Sequence, residues 1–271
     1  MQDFLIPVLD EKSFQGFQSL IYNAAGIHLA DTKRSMVAGR LAKRLKTLGQ
    51  ADFRSYLEQL RRDPDEHQLA VNLLTTNETW FFREPRHFDY LRSEILPAFR
   101  AGDGFRIWSA ACSSGEEPYS MAMLLDDTFG GTGNWGVTAS DISTRVLNLA
   151  MQGHYPLSRA EHIPEAWLKR YCLRGTGEYE GTFLIDRPLR SRVRFCQKNL
   201  DRLEGFATPF DVIFLRNVMI YFNTETKRKV VAAVLSQLKP GGILMIGHSE
   251  TLNGLTNQVK ALAPSIYQKL A

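Results

Sequence analysis

The sequence predicts an α/β protein in which an all-helical N-terminal region precedes a mostly parallel sheet covered by helices on both faces. Three observations predict it. Through the first 75 residues the apolar positions recur at helical spacing. After Gly102 and Gly104, short apolar runs alternate with helical stretches, the pattern of repeated strand–helix units. The stretch Arg174–Arg190 then interrupts that alternation. It carries Gly175, Gly177 and Gly181, the apolar run Phe183–Ile185 and Pro188, and reads as a small antiparallel β-hairpin excursion set between helix and strand.

Taken in order, Phe14, Phe17, Leu20 and Ile21 mark the first helix. A second is predicted over Thr32–Leu48, with Asp31 as its N-cap. Val37, Leu41, Leu45 and Leu48 fall on one side of it, and Lys33, Arg40, Lys43 and Arg44 form an adjacent basic stripe. Phe53, Tyr56, Leu57 and Leu60 suggest a third helix and Leu69–Leu74 a fourth, with Pro64 and Asp65 as a break between them. Strands are expected at Arg106–Ala111, Gly136–Ser140, Val193–Gln197, Asp211–Leu215 and Gly242–Gly247. The intervening helices fall at Pro118–Thr128, Ser143–Gln152 and Thr224–Leu238. The implied organisation is a helical domain over 1–75, a linker over 76–101 and an α/β domain over 102–271, with the β-hairpin excursion at about 174–190.

Composition narrows the function classes. The chain has 271 residues, 44% hydrophobic and 23% charged, which excludes disordered, collagenous and low-complexity classes. Lys and Arg number 33 against 29 Asp and Glu, an excess too small to indicate a nucleic-acid partner. Cys112, Cys172 and Cys196 are odd in number and lack CxxC spacing, so neither a disulfide framework nor a zinc ribbon is expected. The six histidines show no metal-ligand spacing such as HExxH, and no metal is expected. The opening MQDFLIPVLDEKSF lacks the basic start and apolar core of a secretory signal. No apolar run is long enough to span a membrane. A cytoplasmic, monomeric protein is the expectation.

Ligands of such sheets bind outside the carboxyl ends of the strands, so the loops there are where chemistry is sought. The first, WSAACSSGEEPYS, brings small residues and then Glu116 and Glu117 to a helix start. Two glutamates repel a pyrophosphate but suit an ammonium group or hydroxyls; alternatively they only complement the helix dipole. In TASDIS, Asp141 can accept hydrogen bonds from a ribose diol or cap the following helix. Asn199-Leu200 and Asn217-Val218 follow the third and fourth strands, where asparagine can read a base edge or merely make a turn. The string Gly131–Gly136 matches GxGxxG, but it follows a helix and precedes a strand, the reverse of a phosphate-binding context, and reads as a connecting turn. His248-Ser249-Glu250 lacks the GxSxG elbow of a hydrolase.

Together, TTNETWFFRE, WSAACSSGEEPYSMAM, ASDIS, LRNVMIYF and LKPGGILMIGHSE, with RSMVAGRLAKRL upstream, resemble the CheR family over roughly residues 10–270. These are the methyltransferases that esterify glutamates on bacterial chemotaxis receptors. The resemblance implies an S-adenosylmethionine-dependent methyltransferase (Rossmann-like) domain behind the helical domain, with the excursion as a small inserted antiparallel β-subdomain and S-adenosylhomocysteine as the product. It assigns Asn77, Thr79, Arg83, Glu117, Asp141, Asn199, Leu200, Asn217 and Val218 to the cofactor pocket. Arg83 and Tyr221 are the expected catalytic residues, and the basic stripe Lys33, Arg40, Lys43 and Arg44 the expected receptor-binding face. In some relatives the β-subdomain grips a peptide at the receptor C-terminus. Cys112 and Glu78–Trp80 depart from the usual run without removing a group the chemistry needs. The alternative is a non-catalytic adenosylmethionine-binding signalling module. A nicotinamide oxidoreductase needs a glycine fingerprint where SAACSSGEE stands, and an enzyme methylating base amines needs an Asn/Asp-Pro-Pro-aromatic run where RNVMIYF stands.

Overall fold

The computed structural model describes residues 7–100 and 103–270. Met1–Ile6, part of the segment read above for a secretory signal, and Gly102, taken as a domain start, lie outside the described residues. The chain separates into two compact units.

The first comprises residues 1–76 together with Tyr221–Thr226. Its helices are α1 (Glu11–Ala25), α2 (Arg34–Leu48), α3 (Phe53–Leu60) and α4 (Pro64–Leu74). Asp10 caps α1 by accepting the Ser13 N–H at 2.7 Å, and Asp52 caps α3 in the same way. Two expectations need correcting. Asp31 opens a short 3-10 turn rather than capping α2, and its carboxylate accepts from the Gln18 amide at 3.0 Å. Pro64 starts α4 instead of breaking the chain: Asp63 caps the helix, and proline fits its first turn because no N–H is needed there. Phe14, Phe17, Ile21, Val37, Leu41, Leu45 and Tyr56 are fully buried between the helices.

The second unit holds residues 77–220 and 227–271. Its strands are β1 (Phe105–Ser109), β2 (Trp135–Asp141), β3 (His154–Pro156), β4 (Cys172–Arg174), β5 (Thr182–Ile185), β6 (Val193–Gln197), β7 (Phe210–Leu215), β8 (Leu238–Ile246), β9 (Val259–Ala263) and β10 (Ile266–Lys269). Its helices continue as α5 (Pro85–Tyr90), α6 (Glu116–Phe129), α7 (Thr144–Gln152), α8 (Glu165–Tyr171) and α9 (Arg187–Arg190), and α10 (Thr224–Ser236) enters from the short segment assigned to the first unit. The main sheet runs β6-β2-β1-β7-β8-β10-β9. The first five strands are parallel, and β10 is antiparallel to both β8 and β9. Because they are parallel, β6, β2, β1 and β7 have their carboxyl ends at one edge, and the strand order reverses there at β1. β7 is buried at all six positions, as a strand covered on both faces must be.

The inserted antiparallel sheet, ordered β3-β5-β4, reaches back to His154. The predicted excursion at 174–190 caught only its last hairpin, and Pro188 lies in α9. The stretch read as a linker is built into this unit. Phe81, Phe88, Leu91, Ile95 and Leu96 are buried in its core, along α5 and a single π turn at Leu91–Ile95. The GxGxxG string is the turn between α6 and β2, as its context required. No helix among the described residues is long and apolar enough to cross a membrane.

Candidate functional site

The loop from Ala110 to Gly115 leaves β1 and enters α6. Gly115 sits at φ 98°, and a Cβ there would stand 2.8 Å from that of Ala150, so the turn requires glycine. The tight turn brings the Ser113 N–H to one carboxylate oxygen of Asp141, at the end of β2, at 2.9 Å. The Ser143 N–H reaches the other oxygen, also at 2.9 Å. Asp141 is buried, and burial pushes its carboxyl above the usual range against these backbone donors. The Ser143 hydroxyl, buried beside it, makes no hydrogen bond with any described residue. The Ser113 hydroxyl donates to the Asn77 carbonyl at 2.8 Å, tying the segment before α5 to the same loop.

A second cluster centres on Arg216, the residue after β7, whose side chain is 1% exposed. It pairs with Glu117 at 2.8 Å and Glu84 at 3.0 Å, and donates to the Arg83 carbonyl at 2.5 Å. Glu117 also accepts the Ser109 hydroxyl at 2.6 Å. Burial raises the Glu117 carboxyl despite Arg216. Burial also works to raise Glu84, but Arg216, the Asn217 amide and the His248 N–H outweigh it and hold Glu84 below the usual range. Glu116 is bound by Ser114 at 2.7 Å and Arg159 at 3.2 Å, and burial raises its carboxyl. Glu250 gathers the N–H groups of Gly247, Asn217 and Met219 at 2.7–2.9 Å, and so shapes the loop after β7. A Cβ on Gly247 would lie 2.6 Å from the Asn217 amide nitrogen, which keeps that position open.

Strained backbone collects here. Among the described residues, the non-glycine positions with positive φ are Phe82, Glu84, Ser113, Asn217 and Ser265. The first four belong to the hydrogen-bonded loops just described. Each such conformation costs on the order of 1–3 kcal/mol and persists only where the surroundings over-determine it.

The residues proposed from sequence fall as follows. Asn77, Thr79, Arg83, Glu117, Asp141, Asn217 and Val218 lie on or beside these loops, and Asn199 and Leu200 follow β6 at the same sheet edge. Asn199 accepts the Asp201 N–H at 3.0 Å, so it makes a turn there as well. The Arg83 guanidinium lies over the Trp80 ring at 4.4 Å and donates to the Glu78 carbonyl at 2.8 Å. The Thr79 carbonyl accepts from Arg159 at 2.6 Å. Tyr221 groups with the helical unit, where its carbonyl accepts the His28 N–H at 2.8 Å. In the basic stripe, Lys33 and Lys43 are exposed, whereas Arg40 donates to the Leu74 and Thr75 carbonyls at 2.9 and 3.0 Å. Arg44 pairs with the buried Glu66, its Nε at 2.9 Å.

Sequence reasoning missed Glu84, Arg159, Arg216 and Glu250 as organisers. A usable signal existed for one of them: Arg216 directly follows the apolar run Val212–Leu215, and an arginine there must be paired if it is buried.

Small residues and carboxylates line this edge, and no glycine-rich phosphate cradle follows β1. The unpaired Ser143 hydroxyl beside Asp141 offers a partner to a ligand hydroxyl. This donor set fits a ligand that combines hydroxyls with positive charge, and so fits S-adenosylmethionine, with its ribose diol, ammonium and sulfonium.

Comparison with known proteins agrees. A family model described as the CheR methyltransferase SAM-binding domain matches residues 77–267, and one described as the CheR methyltransferase all-alpha domain matches residues 12–75. A chemotaxis protein methyltransferase from Salmonella typhimurium is 43% identical over 263 residues, 96% of this chain and 90% of that protein. One from Escherichia coli is also 43% identical, over 96% of this chain and 91% of that protein. Chemotaxis protein methyltransferase 2 of Pseudomonas aeruginosa is 40% identical over 94% of this chain and 92% of its own length. With both of its units matched in order and nearly end to end, the chain belongs to the CheR methyltransferase family.

Proposed function

We propose that this protein methylates glutamate side chains of chemotaxis receptors, acting as a monomer in the cytoplasm. The observation that carries the reading is the Asp141 site: a carboxylate at the end of β2, both oxygens held by backbone N–H groups, facing a small-residue loop with no phosphate cradle. Bound there, S-adenosylmethionine supplies a methyl group on a positively charged sulfur and is left as S-adenosylhomocysteine.

The residues act by holding and orienting. Asp141 takes the ribose hydroxyls. Asn199-Leu200 and Asn217-Val218 meet the adenine and the chain beside it. Asn77, Thr79 and Glu117 complete the pocket, Glu117 through the carboxylate that Arg216 and Ser109 fix. A receptor glutamate has an ordinary pKa of about 4.3 and is already ionised at neutral pH, so no general base is needed. Rate then comes from alignment of the attacking oxygen. Arg83 orients that carboxylate or the donor, and Tyr221, which follows the Asn217-Val218 rim in the chain, lines the methyl path.

Receptor methylation helices are acidic, and the exposed pair Lys33 and Lys43 suits them. Arg40 and Arg44 support that face from within through Leu74, Thr75 and Glu66. The strand β4 is an edge of the inserted sheet and can accept an added receptor strand.

The test is incubation of the protein and radiolabelled S-adenosylmethionine with membranes carrying chemotaxis receptors. Base-labile label on the receptor is expected; base-stable label, or label on nucleic acid, overturns the reading.

A further inference from the structure

Glu84, a partner of Arg216, stands with two histidines in a group of three side chains that the methyl-transfer chemistry does not use. Glu84, His87 and His248 each offer one ligand-type atom, and those atoms lie within 4.8 Å of one another. His87 Nδ1 is 3.5 Å from Glu84 Oε2, and His248 Nε2 is 3.9 Å from the same oxygen. The two imidazole rings stand edge to face, 5.0 Å apart.

The tautomer of His87 follows from its other nitrogen. Nε2 lies 2.8 Å from the Ser265 hydroxyl oxygen. That hydroxyl spends its own proton on the Pro264 carbonyl at 2.6 Å, so the Ser265 oxygen accepts and His87 Nε2 donates. The neutral ring therefore carries its bare lone pair on Nδ1. His87 is 0% exposed, and Nδ1 makes no hydrogen bond with any described residue. A buried lone pair thus faces a carboxylate oxygen with no proton between them. Two acceptors in that position repel one another, and a cation between them removes the repulsion.

We propose that Glu84 Oε2, His87 Nδ1 and His248 Nε2 form a binding site for a divalent transition-metal ion of the zinc class. Two imidazoles and one carboxylate are the ligand types that zinc, cobalt and nickel take, with bonds of about 2.0–2.2 Å. Ligands on such bonds stand roughly 3.4 Å apart in a tetrahedron. The 3.5 and 3.9 Å separations to Glu84 need little change, and His248, 47% exposed on its side chain, can turn to bring its nitrogen in. Ser265 serves as the hydrogen-bonded support that fixes the His87 ring, as such ligands ordinarily have. Arg216 retains Glu117 at 2.8 Å when Glu84 Oε2 is shared with the ion.

Untagged full-length protein is titrated with zinc chloride by calorimetry and with cobalt chloride by visible absorption. His248→Ala serves as the paired variant, because the residue is exposed and its backbone N–H bond to Glu84 survives the change. The expected result is one ion per chain, a cobalt spectrum with d–d bands and no thiolate charge-transfer band, and zinc affinity at least roughly tenfold lower in the variant, the least that losing even a supporting partner costs. Absence of saturable one-to-one binding in the wild type, a thiolate band, or equal affinity in His248→Ala overturns the proposal. Urea midpoints for the two proteins confirm that both are folded.

Discussion

Removing the Arg216 guanidinium should do far more damage than removing either of its carboxylate partners. In Arg216→Met, Glu84 keeps only the Asn217 amide at 3.1 Å and the His248 N–H at 3.3 Å, and Glu117 keeps only the Ser109 hydroxyl at 2.6 Å. Both carboxylates then sit largely buried without a counter-charge, and breaking a buried pair in this way costs about 3–5 kcal/mol. Glu117→Gln leaves Arg216 paired with Glu84 and loses one charge-assisted bond, so about 1.5–3 kcal/mol is expected. The informative variant is the double one. With Arg216 already gone, Glu117→Gln removes an unpaired charge, so Arg216→Met/Glu117→Gln should be more stable than Arg216→Met by about 1 kcal/mol or more. The deficit of Arg216→Met should also be smaller at about pH 5 than at about pH 8, because stranded carboxyls can take up protons in the folded state. Urea denaturation followed by tryptophan fluorescence is the assay. The four tryptophans, Trp80, Trp108, Trp135 and Trp167, all lie in the sheet-containing unit, so the signal reports on that unit. An Arg216→Met cost under about 1 kcal/mol, or a double variant that loses the simple sum of the single costs, would refute the reasoning.

Other expectations concern the pocket and the helical unit. Asp141→Asn can accept from only one of the Ser113 and Ser143 N–H groups and turns its own NH2 toward the other, so calorimetry should show S-adenosylhomocysteine affinity reduced at least roughly tenfold. Arg44→Ala strands the buried Glu66 and should cost the helical unit about 3–5 kcal/mol by circular dichroism. Lys33→Glu with Lys43→Glu should leave stability within about 0.5 kcal/mol while slowing receptor methylation most at low salt. The Arg44 hydrogen bond holds the Glu66 carboxyl below its usual range, against burial. Because this folded-state pKa is depressed, the stabilisation is complete above the unfolded value of about 4.3 and disappears as pH falls through the folded one. Acid unfolding of the helical unit should therefore steepen below about pH 4 in the wild type and flatten in Arg44→Ala.

The strands that were legible in the sequence are those with an apolar run or a clear apolar–polar alternation. The strand ending at Leu215 was one residue short, because a run buried at every position leaves few alternatives. Val193–Gln197, an edge strand with only Val193 buried, was placed without error from Val193 and Phe195 alternating with Arg194. The C-terminal hairpin was not legible: Val259–Ala263 and Ile266–Lys269 are short, and most of their positions are not buried, so neither periodicity nor hydrophobicity marks them. The strand His154–Pro156 has three residues and directly follows a helix end, too little for any pattern. Pro64 was misread because proline both ends helices and begins them, and only the cap at Asp63 decides which. Asp141 was visible from its place after a strand. Arg216 was not, because its partners Glu117 and Glu84 lie 99 and 132 residues away in the chain. Its place after an apolar strand says that it needs a partner, but local sequence does not say which carboxylates supply it.

The strained turns at Phe82, Glu84, Ser113 and Asn217 bear on how this protein can be engineered. Glycine at Ser113, whose side chain makes one hydrogen bond and no ion pair, would relieve a backbone penalty while widening the range of shapes that loop samples, whereas glycine at Glu84 would take a carboxylate from the buried Arg216. A thermal-tolerance screen run without ligand would then reward relaxed loops and return hardy proteins with slack grips on the methyl donor. Selection for robustness in this fold needs a binding screen beside it.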